Sequence, residues 1–267
     1  MQVDAAPRRL GVCVDDFGLA EGVNEAVLAL ARLGRISATS CMVGAPHFLA
    51  GVPNLRQVDP ATLDVGLHLD LTQYPYDLRL RQPVGEWIVC SHLRMLPRAA
   101  VRSEIDRQLD AFETALGRAP AHVDGHEHVH QFPGIREELL AALQARYPQQ
   151  PPWLRSTRRP RHAALGLKAW IIEAVGCKGL ATLAAANGLR QNAHLLGVYD
   201  FQGDEGRYLA LLQGWLRAAG DGDLLMCHPA TQLVEGATGA ARLREYAVLA
   251  GPAFGELLAR ERFRVAR

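Results

Sequence analysis

The chain lacks long apolar runs, paired cysteines, a surplus of either charge and many aromatic residues. No segment approaches the roughly eighteen consecutive apolar residues of a spanning helix. The most apolar stretch, residues 167–189, is broken by Lys168, Glu173 and Lys178. Residues 1–10 have no apolar centre and carry their two arginines last, the wrong order for a signal peptide. A soluble, cytoplasmic protein is expected, with any membrane contact peripheral and at the inner face. The five cysteines, Cys13, Cys41, Cys90, Cys177 and Cys227, are dispersed and form no C-x-x-C pair. That excludes a disulfide framework or a cysteine-built zinc site and leaves them as small buried hydrophobes. The net charge of +1, from 29 basic and 28 acidic side chains, gives no basic excess for a nucleic-acid partner. Aromatic residues make up 6% and are scattered, so no sugar-stacking platform can be read. G-x-S-x-G, P-loop and G-x-G-x-x-G motifs are absent, which removes the main support for serine hydrolases and nucleotide binders. No repeat, linker or low-complexity tract interrupts the 267 residues, and one domain over residues 1–267 is expected.

Patterning places strands at residues 10–14, 36–43, 63–71, 121–124, 153–157, 195–199 and 223–228. Helices are expected at 21–33, 46–58, 97–116, 133–147, 163–175, 177–189, 205–219 and 240–262. Pro75 and Pro83 mark a long loop after the third strand. About seven strand–helix alternations argue for an α/β fold with a parallel sheet, doubly wound or closed as a (β/α) barrel. The length suits a barrel of about 250 residues.

The reactive residue types collect at the predicted C-terminal ends of strands, the face on which barrels build active sites. Asp15 and Asp16 end the first strand; adjacent carboxylates repel unless a cation or proton lies between them. Residues 122–130, His-Val-Asp-Gly-His-Glu-His-Val-His, hold four of the ten histidines. As extended chain they would put His122, Asp124, His126, His128 and His130 on one face. Imidazole is a common metal ligand, so this segment reads as metal-binding. Asp16, His68 and one histidine of the cluster would form a two-histidine, one-carboxylate site with open positions for water and substrate. His228 follows Cys227 on a strand, so the two face opposite ways; Cys227 reads as core and His228 as an acid.

Four motifs occur in order: Asp-Asp-Phe-Gly-Leu at 15–19, Gly-Leu-His-Leu at 66–69, the histidine-rich segment at 122–130, and Met-Cys-His-Pro at 226–229. Together they resemble the YdjC-like carbohydrate deacetylase family, which includes chitooligosaccharide deacetylases and a hopanoid-biosynthesis-associated member. The resemblance covers residues 9–229. Cys13-Val14 stands where Asn-Ala is common, a change expected to alter packing only. The resemblance implies a distorted, TIM-like (β/α) barrel related to polysaccharide deacetylases. It implies a divalent metal, Mg2+ or Zn2+, on Asp16, His68 and His126. It makes Asp15 the general base and His228 the acid or oxyanion partner.

The expected activity is hydrolysis of the N-acetyl group of an amino sugar. Arg155, Arg158, Arg159 and Arg161 follow a predicted strand and read either as a solvated charge run or as forks for phosphate. The next helices carry Trp170, Ile171, Ile172, Leu180 and Leu183. This combination permits a polyprenyl-phosphate-linked sugar as well as a soluble chito-oligosaccharide, with His128, His130, Arg155 and Arg158 as candidate substrate contacts. A homodimer is compatible with the sequence. The competing classes are a metal-dependent phosphoesterase or amidohydrolase on the same barrel, and a non-catalytic metal- or sugar-binding protein.

Overall fold

The computed structural model describes residues 6–160 and 166–266. Its strands are β1 (Arg8–Phe17), β2 (Ala38–Cys41), β3 (Asp64–Leu69), β4 (His122–Gly125), β5 (Trp153–Leu154), β6 (Leu195–Leu196), β7 (Asp223–Cys227) and β8 (Phe263–Val265). They form one sheet in the order β5-β4-β3-β2-β1-β7-β6, with β8 attached to the start of β1. Every pairing is parallel. β2, β3, β4 and β7 are buried along their whole length, as parallel strands covered on both faces must be. Between β5 and β6 no regular ladder forms. A bridge from Leu154 to Gln191 and a 2.7 Å bond from Leu195 N–H to the Arg158 carbonyl span the seam. The expected parallel α/β fold is present as a distorted, imperfectly closed barrel.

The helices are α1 (Glu21–Arg32), α2 (Phe48–Leu55), α3 (Val84–His92), α4 (Arg98–Leu116), α5 (Ile135–Arg146), α6 (Leu167–Ala174), α7 (Cys177–Ala186), α8 (Glu205–Ala218), α9 (Gly239–Ala250) and α10 (Pro252–Arg260). α4 buries Val101, Ile105, Leu109, Phe112 and Leu116 at the spacing read from sequence. It stops at Gly117, whose φ of 69° is a left-handed cap that glycine adopts without penalty. Among the described residues no single helix is long and apolar enough to cross a membrane.

Several boundaries differ from the sequence reading, each for a local reason. β1 continues through Asp15 and Asp16 to Phe17 instead of ending before them. The segment after Pro83, read as loop, forms α3; Pro83 caps it and Trp87 anchors it in the core, with Nε1–H donating to the Leu71 carbonyl. The last helix breaks in two at Gly251-Pro252, because proline at a first helical position starts a new helix. Three residues then add β8, too short a run to carry a pattern. Residues 163–165 of the helix predicted at 163–175 lie outside the described residues, as does Arg161.

Candidate active site

The site starts with an irregularity in β1. Val14 is opposite Thr39 of β2, but Phe17 is opposite Cys41, so β1 holds one extra residue. In an unbroken strand Asp15 and Asp16 would face opposite sides. The bulge, with Asp16 left-handed at φ 68°, turns both toward one cleft at the C-terminal mouth of the barrel. Such a conformation costs a non-glycine residue roughly 1–2 kcal/mol, so neighbouring contacts must hold it.

β4 ends differently from the expected extended run. Gly125 lets the backbone pass close to His130: an added Cβ would lie 2.8 Å from the His130 nitrogen. The chain then coils through the 3-10 segment His126–Gln131, with left-handed Glu127 and His128. The histidines therefore part company. His122 and Asp124 point into the barrel, where His122 Nε2 lies 2.9 Å from Ser40 Oγ, which donates to Asp124 at 2.6 Å. His126 and His128 line the cleft. His130 is buried beneath it, its Nε2 bonded to the Arg155 carbonyl at 3.0 Å.

Asp16 Oδ1 is the meeting point. His68 Nε2 stands 3.3 Å from it and His126 Nδ1 3.1 Å. His68 is aimed by Asp124, which takes its Nδ1 at 2.6 Å. Asp16 Oδ2 accepts from Arg242 of α9 at 2.5 Å. Asp15 is gripped by both ends of the Arg155 guanidinium at 2.6 Å, and the same guanidinium reaches Asp124 at 2.5 Å. His228 Nε2 lies 4.0 Å from Asp15. All three carboxylates and Arg155 are buried.

Burial raises Asp16 and Asp124, but the guanidinium and imidazole groups around them outweigh it and hold both well below the usual carboxylate range. Burial opposes a charge on His68, yet Asp124, Asp15 and Asp16 raise it to about 10: a proton serves as the cation among these carboxylates. His228 is pushed down to about 4, chiefly by burial, and is neutral. Glu245, buried one turn after Arg242, is raised by burial to about 7. It accepts the His228 N–H at 2.5 Å and the Tyr199 hydroxyl at 2.7 Å, fixing the strand end that carries His228.

Asp16, His68 and His126 place three ligand atoms within 4.8 Å of one another beside the cleft. One carboxylate oxygen and two imidazole nitrogens, with His68 oriented by an outer carboxylate, fit a divalent cation. Two other groupings, Asp15–His68–Asp124 and Cys13–His122–Asp124, also converge. Their carboxylates are already taken by Arg155 and Ser40, and Asp124 faces the interior.

The cleft measures about 480 Å3. One wall is apolar, from Val84 and Ile88 of α3 and Ile171, Ile172 and Val175 of and after α6. Lys168 lines it from an exposed position, 4.6 Å from the Phe201 ring centre.

The structure thus brings Asp15, Asp16, His68, His126, His128 and His228 to one cleft. Three expected substrate contacts need correction. Arg155 is wholly buried as a counter-ion to Asp15 and Asp124. Arg158 is exposed on a different surface, beside Glu173 and Lys178. His130 lies under the cleft floor. Sequence reasoning missed Arg242 and Glu245. Their signal was available: both share the core-facing stripe of α9 with Leu249.

The fold and the site together define a parallel α/β barrel with a carboxylate–histidine cluster at its C-terminal mouth. Residues 9–260 match the model of the YdjC-like protein family, and the chain belongs to that family. A carbohydrate deacetylase of Mus musculus is 33% identical over 185 residues, covering 62% of this chain and 56% of that protein. A chitooligosaccharide deacetylase of Serratia marcescens is 34% identical over 144 residues, covering 50% and 55%. The chain spans about half the length of the curated relatives it matches. Among solved structures, a proposed cellobiose-phosphate cleavage protein of Enterococcus faecalis superposes with a TM-score of 0.70 at 22% identity, covering 98% of both chains. A peptidoglycan deacetylase of Bacillus subtilis gives 0.50 at 10% identity, covering 98% of this chain and 89% of that one. These two likenesses concern the fold.

Proposed function

We propose that the chain is a divalent-metal-dependent hydrolase that removes the N-acetyl group from an amino sugar. The observation that carries this reading is the convergence of three features on one cleft: the Asp16–His68–His126 ligand set, the Arg155-clamped Asp15 and the neutral His228. The deacetylase names of the curated relatives support it.

A divalent ion on Asp16, His68 and His126 would supply Lewis acidity to the acetamide carbonyl and acidify a water. Two imidazoles and one carboxylate suit zinc better than magnesium, which prefers oxygen ligands. Asp15 takes a proton as water adds to the acyl carbon. Its carboxylate is fixed from both ends, so it meets the water without reorienting. His228, 4.0 Å from Asp15, relays a proton to the sugar nitrogen as the C–N bond breaks. Acetate and the free amine leave.

The apolar wall and Lys168 favour a sugar whose aglycone is a lipid phosphate over a free chito-oligosaccharide. Lys168 is a cation at the cleft, alongside Arg242, where the sequence had suggested Arg155 and Arg158.

The test is acetate release from N-acetylglucosamine oligosaccharides and from polyprenyl-phosphate N-acetylglucosamine, with chelated and zinc-restored protein in parallel. Metal-dependent release is expected, greater for the lipid phosphate, and K168M should lessen that preference. D15N should abolish turnover while zinc stays bound. Near-normal turnover by D15N removes Asp15 as the base; no release from either substrate overturns the deacetylase reading.

A further inference from the structure

Arg242 has more donors than its one visible partner uses. Nη2 is bonded to Asp16 Oδ2, while Nε and Nη1 are buried with no hydrogen-bond partner among the described residues. The residue is 5% exposed and lines the cleft. Burying unpaired N–H groups of a charged side chain is costly, and native structures usually fill such donors with water or ligand. His228 Nδ1, on the same cleft, is likewise unpartnered. Arg242 is close enough to His228 to disfavour a second positive charge there. A cationic donor beside the metal-ligand set, with free N–H groups in a partly apolar cleft, suits an oxygen that carries negative charge.

We propose that Arg242 has two roles: Nη2 holds Asp16 in its left-handed conformation, and the free N–H groups receive the acyl oxygen of the substrate and the carboxylate of the product. This deepens the deacetylase reading and rests on it for the identity of the acyl group. The two roles separate by chemistry. A lysine at this position keeps an ammonium for Asp16 but has no donors at the separate Nε and Nη1 positions of the guanidinium. A methionine loses both.

The experiment compares wild type, R242K and R242M, each checked for native circular dichroism. Zinc affinity is measured by calorimetry, acetate binding by titration of the zinc-loaded protein, and kcat and KM by acetate release. R242M should lose about tenfold in zinc affinity, the scale of removing a group that orients a ligand. R242K should keep zinc affinity within about threefold but bind acetate about tenfold more weakly. Its kcat should fall about a hundredfold with little change in KM, as for loss of one oxyanion donor. R242K that binds acetate and turns over like wild type overturns the substrate role, and unchanged zinc affinity in R242M overturns the positioning role. Wild type that binds no acetate also overturns the substrate role. Wild type that releases no acetate from sugars yet binds acetate through Arg242 leaves this proposal standing and removes the deacetylase reading. Normal deacetylation indifferent to residue 242 does the reverse.

Discussion

Replacing Arg155 by methionine tests the claim that this arginine is the internal counter-ion of the site. Its guanidinium is fully buried and makes two 2.6 Å bonds to Asp15 and one 2.5 Å contact to Asp124. Methionine fills much of the volume but strands two carboxylates away from water. Asp124 keeps His68 and Ser40, whereas Asp15 keeps His228 at 4.0 Å and His68 within 4.8 Å among the described residues. Breaking a buried pair from one side costs about 3–5 kcal/mol, a large part of a typical domain's stability of about 5–15 kcal/mol. The pH dependence has a definite sign. Asp124 is held well below its ordinary value, so its contribution is present above about pH 4 and lost as pH falls through the folded value. The deficit of R155M should therefore be full from pH 7 down to about pH 4 and narrow only below it. Urea titrations of wild type, R155M and R155M/D124N read it, and the double variant should recover part of the loss. A deficit below about 1 kcal/mol at pH 7, the scale of an exposed ion pair, would refute the counter-ion role.

Two further predictions follow from the same network. D124N removes the carboxylate that aims His68 and should weaken zinc binding by about 10–100-fold with the fold retained, read by calorimetry. In chelated protein, His122 and His130 are pushed down to about 4 by burial, below an ordinary histidine near 6.5. Their stabilisation is present above about pH 6.5 and lost as pH falls through about 4, so Tm should drop on acidification, less steeply in H130Q. Glu245 acts in the opposite sense: raised to about 7, it contributes stability below its ordinary value that is lost as pH rises through about 7, and E245Q should flatten that fall between about pH 4.5 and 7.

The alternation of strands and helices, and the long stripe of α4, were legible because period alone specifies them. The gathering of Asp16, His68 and one histidine of residues 122–130 could be anticipated because barrel strands end on one face. What was not legible depended on single backbone angles or on partners distant in sequence. Nothing in the alternating pattern of residues 122–130 announces that Gly125 lets the chain fold back and that Glu127 and His128 turn left-handed. The arginine segment read as a surface charge run because arginine is seldom fully buried. Arg155 is the exception, since its two acidic partners lie 140 and 31 positions away in the chain. α3 went unseen because two prolines and a short, mostly exposed helix resemble a loop.

The neighbouring aspartates show why the site needs its second layer. Asp15 and Asp16 are adjacent in sequence, yet the bulge gives them separate arginines: Arg155 for the first and Arg242 for the second. With Asp124 there are three buried carboxylates against two guanidinium groups, so one negative charge is left over. A proton on His68, whose imidazole lies between Asp16 and Asp124 and is raised to about 10, would answer it. A divalent ion on the same atoms would displace that proton and turn the cluster from neutral to singly positive. A positive cluster in a low-dielectric cleft favours an attacking hydroxide and a developing oxyanion, whereas a neutral one does not. On this argument the two arginines are matched in number to the ion: with only one, the loaded site would be neutral.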